Sequence, residues 1–397
     1  MAPQRVYLIG AGVIAGFHAQ ALDHLPDGRR AELIVTTRDP ARLQAFLKAH
    51  PRARPVPDAD RMLAEPARPT DIVVVTTPPA WHCRWTCRAL ESGRNVLCEK
   101  PLAVNRREAT RMVALARRRK RLLADCAGRF LNLAINQAVR GHIAAGTLGD
   151  LYLLTFVHRT ARGRGGVEYQ PESPWFVQKK FAGGGILLDW GPYDLNHLIE
   201  LYRPRAIEIR HAWAATPQAA AKLPRGVRID VDEHAGAALL MHLPDGSRLP
   251  VTYERAACTH GRECRIMELD GTRGSLAWDW TNWNDRTLIH RFDRAGRVAE
   301  KKRVFPVDPI GPHAKPLVYL HAAVHGAPLA DGVILADARR PRTRPPHARQ
   351  PHARQPSADR AAVNQAALRR FELLCALYDC IADSKSRTVR LSPADSR

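Results

Sequence analysis

A glutamate and a lysine stand side by side after a short apolar run, in the stretch CEKPLA at residues 98–103. The run NVLC before them is typical of a buried strand, and the proline after them turns the chain away. Lys100 is therefore expected at a strand end. An ammonium group there can hydrogen-bond a reacting oxygen and stabilise a developing alkoxide. The alternative is a surface lysine, since most lysines are exposed.

A second group of polar side chains lies in GGGILLDWGPYDLNHL, residues 183–198. Asp189 and Tyr193 are four residues apart and Asn196 follows three residues later, so a helix would place all three on one face. Pro192 must either begin such a helix or kink it. A carboxylate beside a phenol can serve as a proton-transfer pair. An ordinary amphipathic helix would show the same spacing.

The stretch GAGVIA, residues 10–15, fits the G-x-G-x-x-G/A pattern of dinucleotide-binding turns. Gly10 permits the tight turn, Gly12 lets the backbone approach a pyrophosphate, and Ala15 keeps the helix close to the strand. The N-terminus of the following helix would then bind the phosphates. The motif is weak alone and gains weight from the strand before it and the helix after it.

Two other strand ends are expected to contact the same dinucleotide. TTPPAWHC, residues 76–83, ends a strong strand with a Pro-Pro pair, and ELIVTTRDP carries Thr37 and Arg38 where an adenine ribose would lie. A hydroxyl and a guanidinium suit the 2′-phosphate of NADP, whereas Asp39 facing the ribose would favour NAD. NADP is the preferred cofactor and NAD is possible. The predicted cofactor-binding residues are Gly10, Gly12, Val13, Ile14, Thr37, Arg38, Thr77, Pro78, His82, Glu99 and Lys100.

These residues need a scaffold that brings strand ends together. The first 125 residues alternate β-branched runs such as VYLIG and DIVVVTT with helical stretches, which predicts a doubly wound α/β domain with a parallel sheet. The carboxyl ends of such strands share one edge, where ligands bind. After about residue 126, hairpin signals such as PDGS and GTRG predict an α+β domain with a large, mostly antiparallel open sheet.

The predicted organisation has four parts. Residues 1–125 form a dinucleotide-binding domain of Rossmann type, and residues 126–340 form an α+β domain for substrate binding and oligomerisation. Residues 341–360 fall in a proline- and arginine-rich tract with a tandem PHARQ repeat, which predicts a disordered insertion. In residues 361–397 a helix and a strand are expected to pack back onto the body. The helical residues that share one apolar face are Phe371, Leu374, Cys375, Tyr378 and Ile381.

Four stretches, GAGVIAGFH, TTPPAWH, VLCEKPLA and GGGILLDWGPYDLN, resemble in order and spacing the Gfo/Idh/MocA family of oxidoreductases. The resemblance covers most of residues 1–215 and resumes around residues 368–391. It implies a nicotinamide cofactor, oxidation of sugar or polyol hydroxyls or reduction of the ketones, and a cis bond between Lys100 and Pro101. It also implies that Lys100 is the catalytic lysine and that Asp189 and Tyr193 replace the family's Asp-x-x-x-His pair. Tyrosine departs from the commoner histidine, although glucose–fructose oxidoreductase and dihydrodiol dehydrogenase carry it.

The leading interpretation is an NAD(P)-dependent oxidoreductase in which Tyr193 exchanges the hydroxyl proton, with its pKa lowered by Lys100. Asp189 would orient Tyr193 or bind a substrate hydroxyl. Trp175 is a candidate pocket residue, although a core tryptophan fits equally well. Two alternatives stay open, an NAD(P)-dependent glycosidase with internal redox cycling and a non-catalytic cofactor or sugar sensor. The predicted substrate-binding residues are Lys100, Trp175, Asp189, Tyr193 and Asn196.

The composition limits the partners. The chain of 397 residues has 61 Lys and Arg against 39 Asp and Glu, for a formal charge of +22. We attribute this to an arginine bias and expect no nucleic-acid partner, because no DNA-binding motif accompanies it; it should still attract phosphorylated cofactors. We expect no membrane span, no metal and no secretory signal, since the first strand begins almost at Met1. The expected protein is a cytoplasmic homodimer or homotetramer with reduced cysteines.

Overall fold

The computed structural model describes residues 3–26, 28–163, 171–217, 223–279, 286–326 and 360–391. Two sheets organise these residues, one of six strands and one of nine. The insertion predicted at residues 341–360 lies outside the described residues, apart from Arg360, which begins a helix. Among the described residues no helix is long and apolar enough to cross a membrane.

The first sheet is fully parallel, as predicted, with the strand order β3-β2-β1-β4-β5-β6. Its strands are β1 Arg5–Ile9, β2 Glu32–Thr36, β3 Arg54–Pro55, β4 Ile72–Val75, β5 Asn95–Cys98 and β6 Leu123–Asp125. Every residue of β4 and β5 is buried, because helices cover both faces of the sheet. The order reverses between β1 and β4, so the crevice for a ligand lies beyond the carboxyl ends of these two strands.

Five helices connect these strands. They are α1 Val13–Gln20, α2 Pro40–Ala49, α3 Ala59–Ala64, α4 His82–Glu91 and α5 Arg106–Arg119. Asp39 caps α2 by accepting from the amides of Ala41 and Arg42. Asn105 caps α5 by accepting from the Glu108 amide. The alternation predicted from the sequence is confirmed, and only β3 and α3 were missed, because each is too short to leave a periodic pattern.

The second sheet is antiparallel except where β7 pairs with β10, and its order is β14-β13-β12-β11-β7-β10-β9-β8-β15. The predicted hairpins are confirmed as β9–β10 and β11–β12. The strands are β7 Leu151–Arg159, β8 Ala206–Ala215, β9 His234–His242, β10 Arg248–Ala256, β11 Cys264–Gly271, β12 Gly274–Trp278, β13 Thr287–Arg294, β14 Arg297–Val304 and β15 Arg387–Arg390.

The remaining helices are α6 Ala134–Ala144, α7 Lys179–Ala182, α8 Ile186–Asp189, α9 Gly191–Tyr202, α10 Lys315–Val324 and α11 Arg360–Asp383. Helices α8 and α11 pack on the second sheet, whereas α10 packs into the core of the first domain through Leu317 and Leu320. The predicted apolar face of α11 packs on the core, with Phe371 and Leu374 fully buried. The stretch that carries Asp189 and Tyr193 is two helices rather than one, because Pro192 occupies the first turn of a new helix.

A buried ion pair fixes the start of α9 against β10. The guanidinium of Arg255 donates to both carboxylate oxygens of Asp194, one at 2.9 Å, and the Tyr253 hydroxyl donates to the same carboxylate at 2.8 Å. Burial raises the pKa of Asp194, and Arg255 offsets part of this effect. The Arg255 guanidinium also lies 4.9 Å from the centre of the Trp190 ring. The residues on either side of Tyr193 are therefore anchored to the second sheet.

Replacing Arg255 by methionine should lower the free energy of unfolding by about 3–5 kcal/mol, because it leaves the buried Asp194 carboxylate without its cation. The double variant Asp194→Asn/Arg255→Met should recover part of this loss. Arg106, which pairs with Asp379 on the surface, provides a matched control, and Arg106→Met should cost less than about 1 kcal/mol. Urea unfolding of the four proteins measures this, and equal losses in the two single variants would contradict it.

Candidate functional site

A cleft of about 1390 Å³ opens at the carboxyl edge of the first sheet. It is larger than a typical pocket for a small ligand, which encloses about 300–1,000 Å³. Its wall contains every predicted cofactor-binding residue except His82. These lining residues are Gly10, Gly12, Val13, Ile14, Thr37, Arg38, Thr77, Pro78, Glu99 and Lys100.

The glycine-rich turn fits a dinucleotide. Gly10 has a φ of +115°, and a Cβ there would lie 2.7 Å from the Thr76 hydroxyl oxygen, so only glycine suits the position. Gly12 precedes α1, and the described residues provide no side-chain cap for this helix. The amides at its first turn, beside the exposed Val13, are thus oriented toward the cleft and suit a diphosphate.

Lys100 lies at the inner end of the cleft, directly after β5. Its ammonium donates to the carboxylate of Asp189 and, at 2.9 Å, to the backbone carbonyl of the same residue. Both side chains are buried, with 10% and 7% exposed. The Lys100–Pro101 bond is cis, as the resemblance implies. The strand end of the first domain is thereby joined to α8 of the second.

Tyr193 lies beside this pair but does not line the cleft. The Lys100 ammonium is 5.2 Å from the centre of its ring, and the Arg129 guanidinium is 5.6 Å away. Its hydroxyl is buried and has no hydrogen-bond partner among the described residues. Burial raises the pKa of Tyr193 well above its ordinary value, and Arg129 opposes this only in part. The expectation that Lys100 lowers this pKa is therefore wrong for the structure as it stands, and the phenol is protonated.

Of three other predicted site residues, Trp175 lines the cleft and His82 and Asn196 do not. His82 is buried behind the cleft wall, where its ring nitrogens lie 2.8 Å from the carbonyl oxygens of Thr77 and Pro101. The ring thus connects the loop after β4 with the loop after β5 and does not line the cofactor cleft. Asn196 is likewise buried, and its amide donates to the Ala127 carbonyl at 3.1 Å. Trp175 does line the cleft.

The cleft wall that contains Trp175 comes from the second domain. Trp175 lies in a short 3₁₀ helix, Pro174–Val177, and the preceding Glu172 carbonyl accepts from Arg42 of the first domain at 3.2 Å. The segment therefore crosses the cleft toward the end of β2. This places Trp175 on the wall of the cofactor cleft, and its part in substrate binding stays a prediction.

Glu99 is the centre of a charge cluster that the sequence analysis missed. Its carboxylate is bonded by the His18 ring at 2.7 Å, by the Arg129 guanidinium at 2.5 Å and by the Lys100 amide at 3.1 Å. Burial alone would raise the pKa of Glu99, but Arg129 and His18 outweigh it and hold the pKa well below its usual range. The Cys126 thiol lies 3.9 Å from His18. Arg129 already neutralises this carboxylate, so the cluster does not need a metal ion.

Arg129 follows β6, so the rule that ligands meet strand ends could have identified it. His313 had no local signal. It precedes α10 yet lines the cleft with Lys100, and its ring stacks on Phe17 of α1 with centroids 4.3 Å apart. Burial lowers the pKa of His313 to about 4, so it is a neutral imidazole at neutral pH. It is a second polar group at the inner end of the cleft.

Comparison with known proteins gives matches to two family models. Residues 4–125 match the oxidoreductase family with an NAD-binding Rossmann fold, and residues 136–277 match the GFO/IDH/MocA C-terminal domain. A dTDP-3,4-didehydro-2,6-dideoxy-alpha-D-glucose 3-reductase of Saccharopolyspora spinosa is 32% identical over 192 residues, which are 48% of this chain and 54% of that protein. The chain thus spans about half the length of this relative.

A 1,5-anhydro-D-fructose reductase of Ensifer adhaerens is 26% identical over 332 residues, 82% of this chain and 90% of that protein. The solved structure of a levoglucosan dehydrogenase in complex with NADH and levoglucosan has a TM-score of 0.70 at 17% identity. It covers 98% of this chain and 100% of that one, and so shares the fold. With both of its domains matched and the lysine, aspartate and glycine motifs in place, the chain belongs to the Gfo/Idh/MocA family and carries its NAD-binding Rossmann domain.

Proposed function

We propose that this protein is an NAD(P)-dependent oxidoreductase that interconverts a secondary hydroxyl and a ketone on a sugar or polyol. The observation that carries the proposal is the position of Lys100. Its ammonium is at the inner end of a cleft built for a dinucleotide, and Asp189 holds it there. A bound nicotinamide supplies the hydride for reduction or accepts it in oxidation.

Lys100 stabilises the negative charge that develops on the substrate oxygen. An ammonium in a water-poor site does this strongly because it is already oriented and need not reorganise. Asp189 keeps the ammonium oriented through two of its oxygens. The aspartate therefore acts on the lysine in this structure, in addition to any contact with a substrate hydroxyl.

Tyr193 is the proton donor or acceptor for the same oxygen. A buried hydroxyl without a partner costs about 1–3 kcal/mol, so a substrate oxygen beside Lys100 would relieve an unfavourable state. Because burial keeps the phenol protonated, the resting enzyme is ready to donate a proton to an alkoxide. The resting site thus has the protonation state that the reduction of a ketone requires.

NADP is the proposed preferred cofactor. The residue that would favour NAD is Asp39, and its carboxylate is engaged elsewhere. One oxygen accepts from two amides at the start of α2, and the other pairs with Arg42 at 3.3 Å. Thr37 and Arg38 line the cleft at the same end. A hydroxyl and a guanidinium that face a ribose, with the nearby acid engaged, suit a 2′-phosphate.

The substrate class is supported by the names of similar proteins. The two relatives are a sugar-nucleotide reductase and an anhydrofructose reductase, and the structural neighbour is a dehydrogenase of levoglucosan. A panel of sugars, polyols and ketones with both cofactors, followed by the absorbance of the reduced nicotinamide, tests the proposal. Substrate-dependent oxidation or reduction is expected. Glycoside cleavage with a catalytic amount of cofactor would favour the glycosidase, and no response to any substrate would contradict both.

The proposal includes a cytoplasmic homodimer or homotetramer. The eight cysteines are all described, and none is in a disulfide. Trp213 and Ile266 lie at the two ends of one line of paired residues that crosses five strands of the second sheet. Their side chains are 37% and 41% exposed. Single exposed apolar side chains are ordinary on a protein surface, so the proposed homo-oligomer rests on the family resemblance rather than on this face. Sedimentation of the purified protein would show a single monomeric species if this part were wrong.

Lys100→Met should reduce turnover by about 10²–10³-fold, because it removes the charge that stabilises the alkoxide. It also leaves the Asp189 carboxylate buried without its cation, so the melting temperature should fall. The double variant Lys100→Met/Asp189→Asn separates these effects, since it should regain stability and stay inactive. Cofactor binding, followed by fluorescence, should persist in both. Turnover near the wild-type value in the double variant would refute the role of Lys100.

Tyr193→Phe should lower turnover by about 10²–10⁴-fold through loss of the proton donor. The melting temperature should not fall, because the hydroxyl has no partner among the described residues. Wild-type reduction should be independent of pH across the neutral range and decline only at high pH, where the phenol, whose pKa is raised, finally ionises. Tyr202→Phe on the same helix removes another buried hydroxyl and serves as the control. Equal activity in both variants would contradict the assignment.

Arg38→Ala should raise the Michaelis constant for NADP about tenfold or more, a loss of roughly 1.5–3 kcal/mol, and leave that for NAD nearly unchanged. The charged hydrogen bond to the 2′-phosphate is what this variant removes. Arg117→Ala, in the last turn of α5 and outside the cleft, controls for a change in net charge. A wild-type preference for NAD, or equal effects on both cofactors, would overturn the assignment.

A further inference from the structure

Four side chains form an alternating stack at the end of the cleft near β2. The Arg38 guanidinium lies 5.0 Å from the centre of the Trp81 ring, the Arg84 guanidinium lies 5.9 Å from the same ring, and Arg84 also lies 4.8 Å from the Trp85 ring. We call these four residues the arginine–tryptophan ladder. All four line the cleft. Only Arg38 among them was singled out from the sequence.

The ladder is built from two separate strand ends. Arg38 follows β2, while Trp81 closes the 3₁₀ turn Pro79–Trp81 after β4, and Arg84 and Trp85 lie in the first turn of α4. The Pro-Pro pair that ends β4 directs the chain toward Arg38 and so brings Trp81 beside it. Arg38 and Trp81 are neighbours because their strands are neighbours of β1 on its two sides.

Three of the acids at this end of the cleft are engaged elsewhere. Asp39 caps α2 and pairs with Arg42, Asp58 caps α3 through the amide of Arg61, and Asp60 pairs with Arg88. Within the part of the chain that the structure describes, Arg38 and Arg84 have no carboxylate partner. Two guanidinium groups therefore face one cleft with aromatic rings as their only described contacts.

An aromatic face orients a guanidinium without neutralising it. The attraction comes from the ring quadrupole and leaves the five N–H donors at the edge of the guanidinium available. A carboxylate partner would instead cancel the charge and occupy two of these donors. The ladder thus holds two full positive charges in fixed orientation, which is what recognition of a doubly charged phosphate requires.

We propose that the ladder is the recognition site for the 2′-phosphate of NADP, with Arg84 as a second phosphate-binding residue and Trp81 as the positioning residue shared by both guanidiniums. This inference rests on the proposed preference for NADP and extends it to residues outside the end of β2. Arg84 comes from the first turn of α4, which follows the end of β4, so cofactor choice depends on two strand ends rather than one.

The test uses cofactor fragments, so it does not depend on catalysis. Calorimetric titration with 2′,5′-ADP and with 5′-AMP measures the contribution of the 2′-phosphate in the full-length protein. Arg84→Ala should weaken binding of 2′,5′-ADP about tenfold or more and change binding of 5′-AMP by less than about twofold. Arg117→Ala provides the control for net charge, because Arg117 lies in the last turn of α5 and outside the cleft. It should behave as the wild type with both fragments.

The role of Trp81 is tested by two substitutions. Trp81→Leu should weaken binding of 2′,5′-ADP several-fold by losing the ring face, and Trp81→Phe should restore most of it because a face remains. A ring that only packs would give equal losses with 5′-AMP. Melting temperatures identify any variant that fails to fold, and Arg84→Ala, at an exposed position, tests the site without changing the core.

Different results would contradict the preference for NADP and the assignment of the arginine–tryptophan ladder as the phosphate site. Equal affinity of the wild type for 2′,5′-ADP and 5′-AMP would overturn the preference for NADP and the ladder with it. A wild-type preference for 2′,5′-ADP that Arg38→Ala abolishes and Arg84→Ala leaves intact would overturn the ladder alone. Loss in both arginine variants, with less than additive effects in the double variant, would support one shared phosphate site.

Discussion

The ion pair between Lys100 and Asp189 is the constraint on which the rest of the site depends. Burying two charges costs several kcal/mol each, and only close, well-oriented contact offsets this. The strand end after β5 and the turn of α8 must therefore meet within hydrogen-bond distance. A single carboxylate, Asp232, holds the start of α8 by accepting from the amides of Gly185 and Leu187 and from the Tyr378 hydroxyl of α11. The C-terminal helix thus contributes to the placement of a lysine in the first domain.

The buried charged groups around this ion pair each contact a group of opposite charge, which offsets the cost of burying them. The Lys100 ammonium pairs with Asp189, and Glu99, which accepts from the Lys100 backbone amide, binds Arg129 and His18. Tyr193 stays neutral at the centre of this arrangement, because burial outweighs the nearby cations. In the proposed reaction, Lys100 stabilises an anionic substrate oxygen while Asp189 keeps the ammonium in place. In the same proposal, the protonated phenol of Tyr193 donates the proton that neutralises that oxygen.

At the opposite end of the cleft, near β2, the cations are held by aromatic rings rather than by carboxylates. Near Lys100 every described charge has an ionic partner, whereas Arg38 and Arg84 contact aromatic rings. Under the proposed function, the first end serves a reaction in which charge develops briefly, and the second binds a ligand that brings permanent charge. The high positive charge of the whole chain says little about this, since the surface arginines are widely distributed. The arginines suited to binding an anionic ligand are those without a carboxylate partner among the described residues.

The sequence by itself determined the parallel sheet, the glycine-rich turn and the position of Lys100 at a strand end, because each depends on local periodicity and on the rule that parallel strands end at one edge. It also identified Asp189 and Tyr193 as chemically suited groups. Only the tertiary structure showed that Asp189 binds Lys100, 89 residues away, and that burial raises the pKa of Tyr193. The same holds for His82 behind the cleft wall, for His18 and Arg129 on Glu99, and for Arg84 beside Trp81. Contacts and desolvation are set by how separate elements pack, and a linear pattern carries no record of the distance between residues far apart in the chain.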